Sequence, residues 1–270
     1  MRFDAGSGDV DALSARLAAG DLSVDGSADG WTPLLCAAEN GQAEAAALLL
    51  GAGADPDLAV GGRASPLAIA AGAGDVELVD LLLGEGADPN SQLGGTTPLI
   101  EAAEAEQPDL IATLVAEGAD PDAPNDRGIT PLVGAIGRPS STEALLTAGA
   151  DPNEVAQVDG RSVLLVSGLW RTPLSTGVAE PLTHGRGDST ALHAAVLTGD
   201  ADSVRLLLEA GADPDAIAYD AFTPLHLALG LERGADDDIA RLLLEAGADP
   251  TLAPNDAVGT PADLAAATRP

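Results

Sequence analysis

The sequence predicts an all-α fold, a helical repeat solenoid of stacked helix pairs joined by short extended or β-hairpin fingers. Three observations predict it. The tetrapeptide Gly-Ala-Asp-Pro recurs at Gly53–Pro56, Gly86–Pro89, Gly118–Pro121, Gly149–Pro152, Gly211–Pro214 and Gly247–Pro250, with glycines 33, 32, 31, 62 and 36 residues apart. A second marker keeps the same beat about 21 residues before each glycine: Thr32-Pro33-Leu34, Ser65-Pro66-Leu67, Thr97-Pro98-Leu99, Thr130-Pro131-Leu132, Thr190-Ala191-Leu192 and Thr223-Pro224-Leu225. Aromatic residues make up only 2 %, so burial must come from Leu, Ala and Val, which suits thin helices in close contact. Two markers in phase at a period near 33 mean stacked supersecondary units.

Each part of the unit has a local cause. Thr or Ser caps a helix, and the proline after it suits the first helical position, where no amide donor is needed. A short first helix follows, as in Leu34-Leu35-Cys36-Ala37-Ala38, then a polar turn and a second helix such as Ala43–Leu50 with a leucine triplet on its buried side. Glycine ends the second helix because it enters the left-handed region without steric cost. Asp-Pro then leads into the finger.

The whole chain, 1–270, reads as a single stack. Residues 1–28 form a worn N-terminal cap unit, and 29–159 hold four regular units. The stretch 160–187 departs from the pattern, with Val163 in place of the capping proline and Pro173 and Pro181 where a second helix belongs. Proline inside a helix costs about 3 kcal/mol, so this stretch is expected to be a degenerate, irregular unit standing for the missing copy. Two regular units fill 188–257, and 258–270 is a truncated C-terminal cap.

The formal net charge is −31, all 12 basic residues are arginine, and Asp outnumbers Glu by 29 to 14. Such a field opposes nucleic acid and anionic membranes and attracts basic partners; adaptation to salt or a GC-rich genome is the alternative source of the acidity. Residues 127–186 hold five arginines and five acids, so the remaining residues carry the entire charge. No apolar run is long enough to span a bilayer, and the start Met1-Arg2-Phe3-Asp4 lacks a signal-peptide segment, which leads to an expected cytoplasmic location in a bacterial or archaeal cell. Cys36 is the single cysteine and reads as packing. No metal-ligand spacing, phosphate loop, nucleophile elbow or Cys-His pair is present, so no catalytic residue, metal or cofactor is expected.

Thr190-Ala191-Leu192-His193-Ala194-Ala195, Thr223-Pro224-Leu225-His226 and Leu206-Leu207-Leu208-Glu209-Ala210-Gly211-Ala212-Asp213 resemble ankyrin repeats, and the resemblance spans essentially the whole chain. It implies that His193 and His226 tie neighbouring hairpin backbone together. It also implies a non-enzymatic protein-binding module with a concave groove and a monomer whose partner is a protein; the charge makes that groove acidic and suits a basic partner, such as an enzyme or toxin that the chain would inhibit or protect against.

The groove positions implied by that resemblance are Trp31, Glu39, Asn40, Glu104, Leu197, Thr198, Tyr219, Phe222 and Leu231. Aromatics concentrate at binding hot spots, although an aromatic before the cap can equally pack on the adjacent finger. The alternative reading is an anion- or small-molecule-binding site, or an enzyme, on the irregular stretch, with Arg161, Arg171, Arg186 and His184 around Trp170. Arginine forks suit carboxylate or phosphate, and equally suit neutralising nearby acids.

Overall fold

The computed structural model describes residues 8–156, 189–218, 222–230, 237–253 and 259–263. They fall into two units, Met1–Asp126 and Arg127–Pro270, each made of stacked helix pairs. Unit 1 begins with α1 (Val10–Ala19) and continues with the pairs α2 (Pro33–Glu39) and α3 (Ala43–Gly51), α4 (Pro66–Ala73) and α5 (Val76–Gly84), and α6 (Pro98–Glu104) and α7 (Pro108–Ala116). Unit 2 contains α8 (Pro131–Gly134) and α9 (Pro139–Thr147), α10 (Ala191–Thr198) and α11 (Ala201–Glu209), and α12 (Pro224–Gly230) and α13 (Asp237–Glu245). Within each unit first helices pack on first helices and second on second, as α2, α4 and α6 do in unit 1.

The first helices start where the marker places them. Thr32, Ser65, Thr97 and Thr130 each accept a hydrogen bond from the backbone N–H three residues on, at 3.1, 3.2, 3.2 and 3.4 Å. Each such cap is worth about 1 kcal/mol. An alanine five residues after the cap (Ala37, Ala70, Ala102, Ala135, Ala195) is fully buried, and its small side chain lets neighbouring helices approach closely. The leucines Leu49, Leu82, Leu145, Leu207 and Leu243 supply the same buried position on the second helices.

All four residues of Gly-Ala-Asp-Pro have a physical role. Gly86, at φ 88°, takes the left-handed turn after α5. Ala87 is buried and donates its N–H to the Leu82 carbonyl at 3.0 Å, closing the helix end. Asp88 accepts from the N–H of Asn90 at 2.9 Å, and Pro89 fixes the chain direction between them. The remaining donor, the Asp88 N–H, crosses to Asp57 of the preceding repeat at 2.9 Å.

That crossing repeats as a ladder along the fingers. Asp25 accepts from Asp55 N–H at 3.1 Å, and Asn90 accepts from Asp120 N–H at 2.8 Å. In unit 2, Asn153 accepts from Asp213 N–H at 2.7 Å and Asp215 from Asp249 N–H at 2.8 Å. Where the fifth residue is Asn, its amide also donates onward, Asn90 to the Gly118 carbonyl and Asn153 to the Gly211 carbonyl.

The ladder also joins the repeats on either side of the stretch 160–187. The stretch 160–187 itself lies outside the described residues. Asn153 nonetheless bonds directly to Gly211 and Asp213, Gly137 N–H donates to Asp200 at 2.8 Å, and Thr142 meets Ser203 at 3.4 Å. Ala156 and Ser189 pair as an antiparallel bridge, the pairing that Ala28 and Trp31 make across the two-residue turn Asp29-Gly30. The repeats on either side are therefore immediate neighbours, with no repeat stacked between them. Residues 157–188 lie in sequence between the two partners of the Ala156–Ser189 bridge.

Candidate functional site

The predicted groove residues divide by unit. In unit 1, Glu39 and Glu104 end α2 and α6 at equivalent positions, seven residues after their caps, and both are exposed. Gly72 holds that position on α4 between them, and a Cβ there would meet Glu101 Oε2 at 3.1 Å. The Glu101 side chain thus fills the space beside Gly72, and Cys36 on α2 and Ile69 on α4 are half-exposed. Exposed Asn40 closes the end of α2 by donating its amide to the Cys36 carbonyl at 2.8 Å.

Trp31 stands on the first finger, half-exposed, with the Arg63 guanidinium 3.5 Å from its ring centroid. Arg63 Nε also donates to the Gly30 carbonyl at 2.9 Å, so it ties two successive fingers and covers one ring face. Both readings of Trp31 thus find a basis in the geometry. It packs on the adjacent finger, and part of it still reaches solvent.

Unit 2 differs. Phe222 has the same place before its cap as Trp31, but it is only 2 % exposed and sets its ring edge-on to His226, with centroids 6.4 Å apart. Leu197 is buried at 1 %. The expectation that these two side chains offer themselves to a partner is corrected, because both are covered within their own unit. Thr198 is half-buried and donates its hydroxyl to the Ala195 carbonyl at 2.8 Å. Tyr219 and Leu231 lie outside the described residues, as do Arg161, Trp170, Arg171, His184 and Arg186.

The two described histidines form structural ties. His193 Nδ1 faces the Thr190 N–H at 3.4 Å and the Thr190 hydroxyl at 2.9 Å, so it is the accepting nitrogen. The ring proton is therefore assigned to Nε2, which donates to the carbonyls of Ala216 at 3.1 Å and Phe222 at 3.3 Å. His226 repeats the arrangement on Thr223, at 3.2 and 2.8 Å, and its Nε2 donates to the Gly259 carbonyl at 3.2 Å. Burial pushes His193 down to about 4, against the upward pull of its two carbonyls and of Asp213. Burial lowers His226 as well, opposed by the Gly259 carbonyl.

The finger ladder is the functional-looking acidic feature that the sequence reading passed over. Its signal was legible as Asp or Asn in the residue after every Gly-Ala-Asp-Pro except the last, which has Thr251. Desolvation raises Asp57, and nearby Asp88 and Asp55 raise it further, while the Asp88 N–H pulls it back. No group of three or more His, Cys, Asp or Glu side chains among the described residues is placed to hold a metal ion, and no described helix is long and apolar enough to cross a membrane.

Family models agree with this geometry. A model for ankyrin repeats in three copies matches residues 67–156 and 173–253, and a single ankyrin-repeat model matches 29–59. The chain belongs to the ankyrin-repeat family. Ankyrin repeats typically serve protein–protein interaction. The chain is 38 % identical over 116 residues to Protein PhlB of Serratia liquefaciens, a match covering 40 % of this chain and 51 % of that protein. It is 32 % identical over 80 residues to Protein phosphatase 1 regulatory subunit 12A of Mus musculus, covering 30 % of this chain and 8 % of that protein. The matches thus span about half the length of the first of these relatives and a small part of the second. Among solved structures, the human ASB11 ankyrin repeat domain superposes with a TM-score of 0.68 at 22 % identity, covering 91 % of this chain and 96 % of that one. The ankyrin repeat domain of Bcl-3, described as a unique member of the IkappaB protein family, gives 0.69 at 23 %, covering 90 % and 96 %. At these identities the two structures speak for the ankyrin fold alone.

Proposed function

We propose that this ankyrin-repeat chain is a non-enzymatic binding module, and that the first-helix face of unit 1 receives a basic protein. The observation that carries the reading is the exposure of Glu39 and Glu104 at the same place on α2 and α6, with the Glu101 carboxylate against Gly72 on α4 between them, together with the half-exposed Trp31 stacked by Arg63. The surrounding field supports it: residues 1–126 hold 23 acids and 3 arginines, a net −20, against 20 acids and 9 arginines, a net −11, in residues 127–270. Carboxylates at an interface speed encounter with a basic partner and discriminate against acidic ones. Trp31 supplies the amphipathic aromatic anchor.

The chain acts as a monomer in the cytoplasm and, by occluding the basic surface of its partner, inhibits or protects against it. The test is capture of basic proteins from the native host on the immobilised chain at low salt, followed by association kinetics of the purified partner. Association slows roughly tenfold or more between about 50 and 500 mM salt, and a Glu39→Gln/Glu104→Gln variant loses most of that dependence. A neutral partner whose association ignores both salt and the double substitution contradicts the reading.

A further inference from the structure

We propose that the two consecutive junctions at His193 and His226 are an acid-sensitive release built into unit 2: charging the imidazoles detaches each following finger from its first helix while unit 1 stays closed. The geometry requires a neutral ring at both places. Nδ1 faces a backbone N–H that can only donate, that of Thr190 or Thr223, so a proton on Nδ1 sets donor against donor. The Thr hydroxyls can turn to accept; the amides cannot. Nε2 meanwhile holds carbonyls that belong to the next repeat, Ala216 and Phe222 for His193 and Gly259 for His226.

The groups around the two rings do little to compensate a positive charge. Asp213, on the finger that receives the His193 Nε2–H, is the carboxylate that acts on that ring, and Asp215 beside it is bonded to the Asp249 N–H. His226 is met by the Phe222 ring edge and Thr223. Among the described residues Asp263 lies close to Gly259, and it accepts from the N–H and hydroxyl of Thr260. Asp220 and Asp256 lie outside the described residues. In unit 1 the same helix position is occupied by Leu35, Ala68 and Ile100, which are buried and carry no proton to gain.

The sign follows from the shift. His193 falls from 6.5 to about 4 on folding, so the closed state binds fewer protons than the open one. Closure is at full strength above about pH 6.5 and weakens as pH falls toward 4. From the His193 pair of values alone, the open population rises roughly 20-fold between pH 7 and pH 5.

The test is hydrogen–deuterium exchange of the full chain at both pH values, corrected for intrinsic exchange. The proposal expects residues 190–230 to open at least 20-fold more at pH 5, with peptides from α2, α4 and α6 unchanged; a His193→Leu/His226→Leu variant, which copies Leu35, loses the difference. Parallel opening of both units, or a difference that survives the double substitution, overturns it. If that variant fails to fold, ring titration in the wild-type chain decides: rings that stay neutral until residues 190–230 open support the proposal, and rings that charge near 6.5 without opening overturn it.

Discussion

Unit 1 and unit 2 are built from one repeat and hold it together differently. In unit 1 the third helical residue after each cap is apolar, Leu35, Ala68 or Ile100, and the helix start rests on the Thr or Ser hydroxyl. In unit 2 that residue is Val133 once and histidine twice, and each imidazole reaches the next finger. The residue before the cap follows suit, half-exposed at Trp31, Ala64 and Thr96 and buried at Ile129, Ser189 and Phe222. Both histidine repeats thus bury the residue before the cap, while the apolar starts divide: Trp31, Ala64 and Thr96 stay half-exposed, and Ile129, ahead of Val133, is buried. The proposed partner face in unit 1 rests on the half-exposed Trp31.

The largest test of the contrast is His193→Ala. It strips a capping partner and orphans two carbonyls, which should cost about 3 kcal/mol at pH 7 by chemical denaturation. Ile100→Ala costs a similar amount through its cavity. The two costs diverge in acid: the His193→Ala penalty shrinks substantially by pH 5, and the Ile100→Ala penalty does not. Equal pH dependence breaks the comparison.

Next comes a strained turn in unit 1. Glu106 takes φ 57° at the place where Gly41, Gly74, Gly137 and Gly199 stand in the other repeats. Glu106→Gly should stabilise the chain by about 1 kcal/mol in thermal melts.

A smaller effect is expected on the ladder. Asp57→Asn gives its junction the extra donor that Asn90 sends to Gly118 and removes a carboxylate raised by burial and its neighbours. It should stabilise by roughly 0.5–1 kcal/mol at pH 7, with a gain that fades as pH falls through the carboxylate range, because protonation already relieves Asp57 there. Asn90→Asp should do the reverse. The smallest effect is that of Arg63→Ala, which should cost about 0.5–1 kcal/mol and change Trp31 fluorescence as the ring loses its cover.

The repeat period, the caps and the glycine stops were legible because they are local: a hydroxyl, a proline and a left-handed turn act within four residues. The structural use of His193 and His226 was legible through the resemblance to ankyrin repeats. The ladder escaped notice because its bonds join residues about 30 apart, and one residue type, Asp, does three jobs in one finger. Phe222 and Leu197 were misplaced because register along the chain does not say which way a finger turns. The stretch 160–187 reads in the sequence as a degenerate unit because its length is close to one period; we propose that it is an insertion into one finger, since the repeats flanking it bond directly.

That insertion gives the most direct test of the account. Replacing residues 157–188 with Asp-Gly, the pair that joins Ala28 to Trp31, should leave residues 189–253 folded, with denaturant stability equal to or above the parent and the Asp213 amide still protected. Loss of that protection, or a fall of several kcal/mol, would show that a repeat had been removed from the stack and would contradict direct contact between its neighbours.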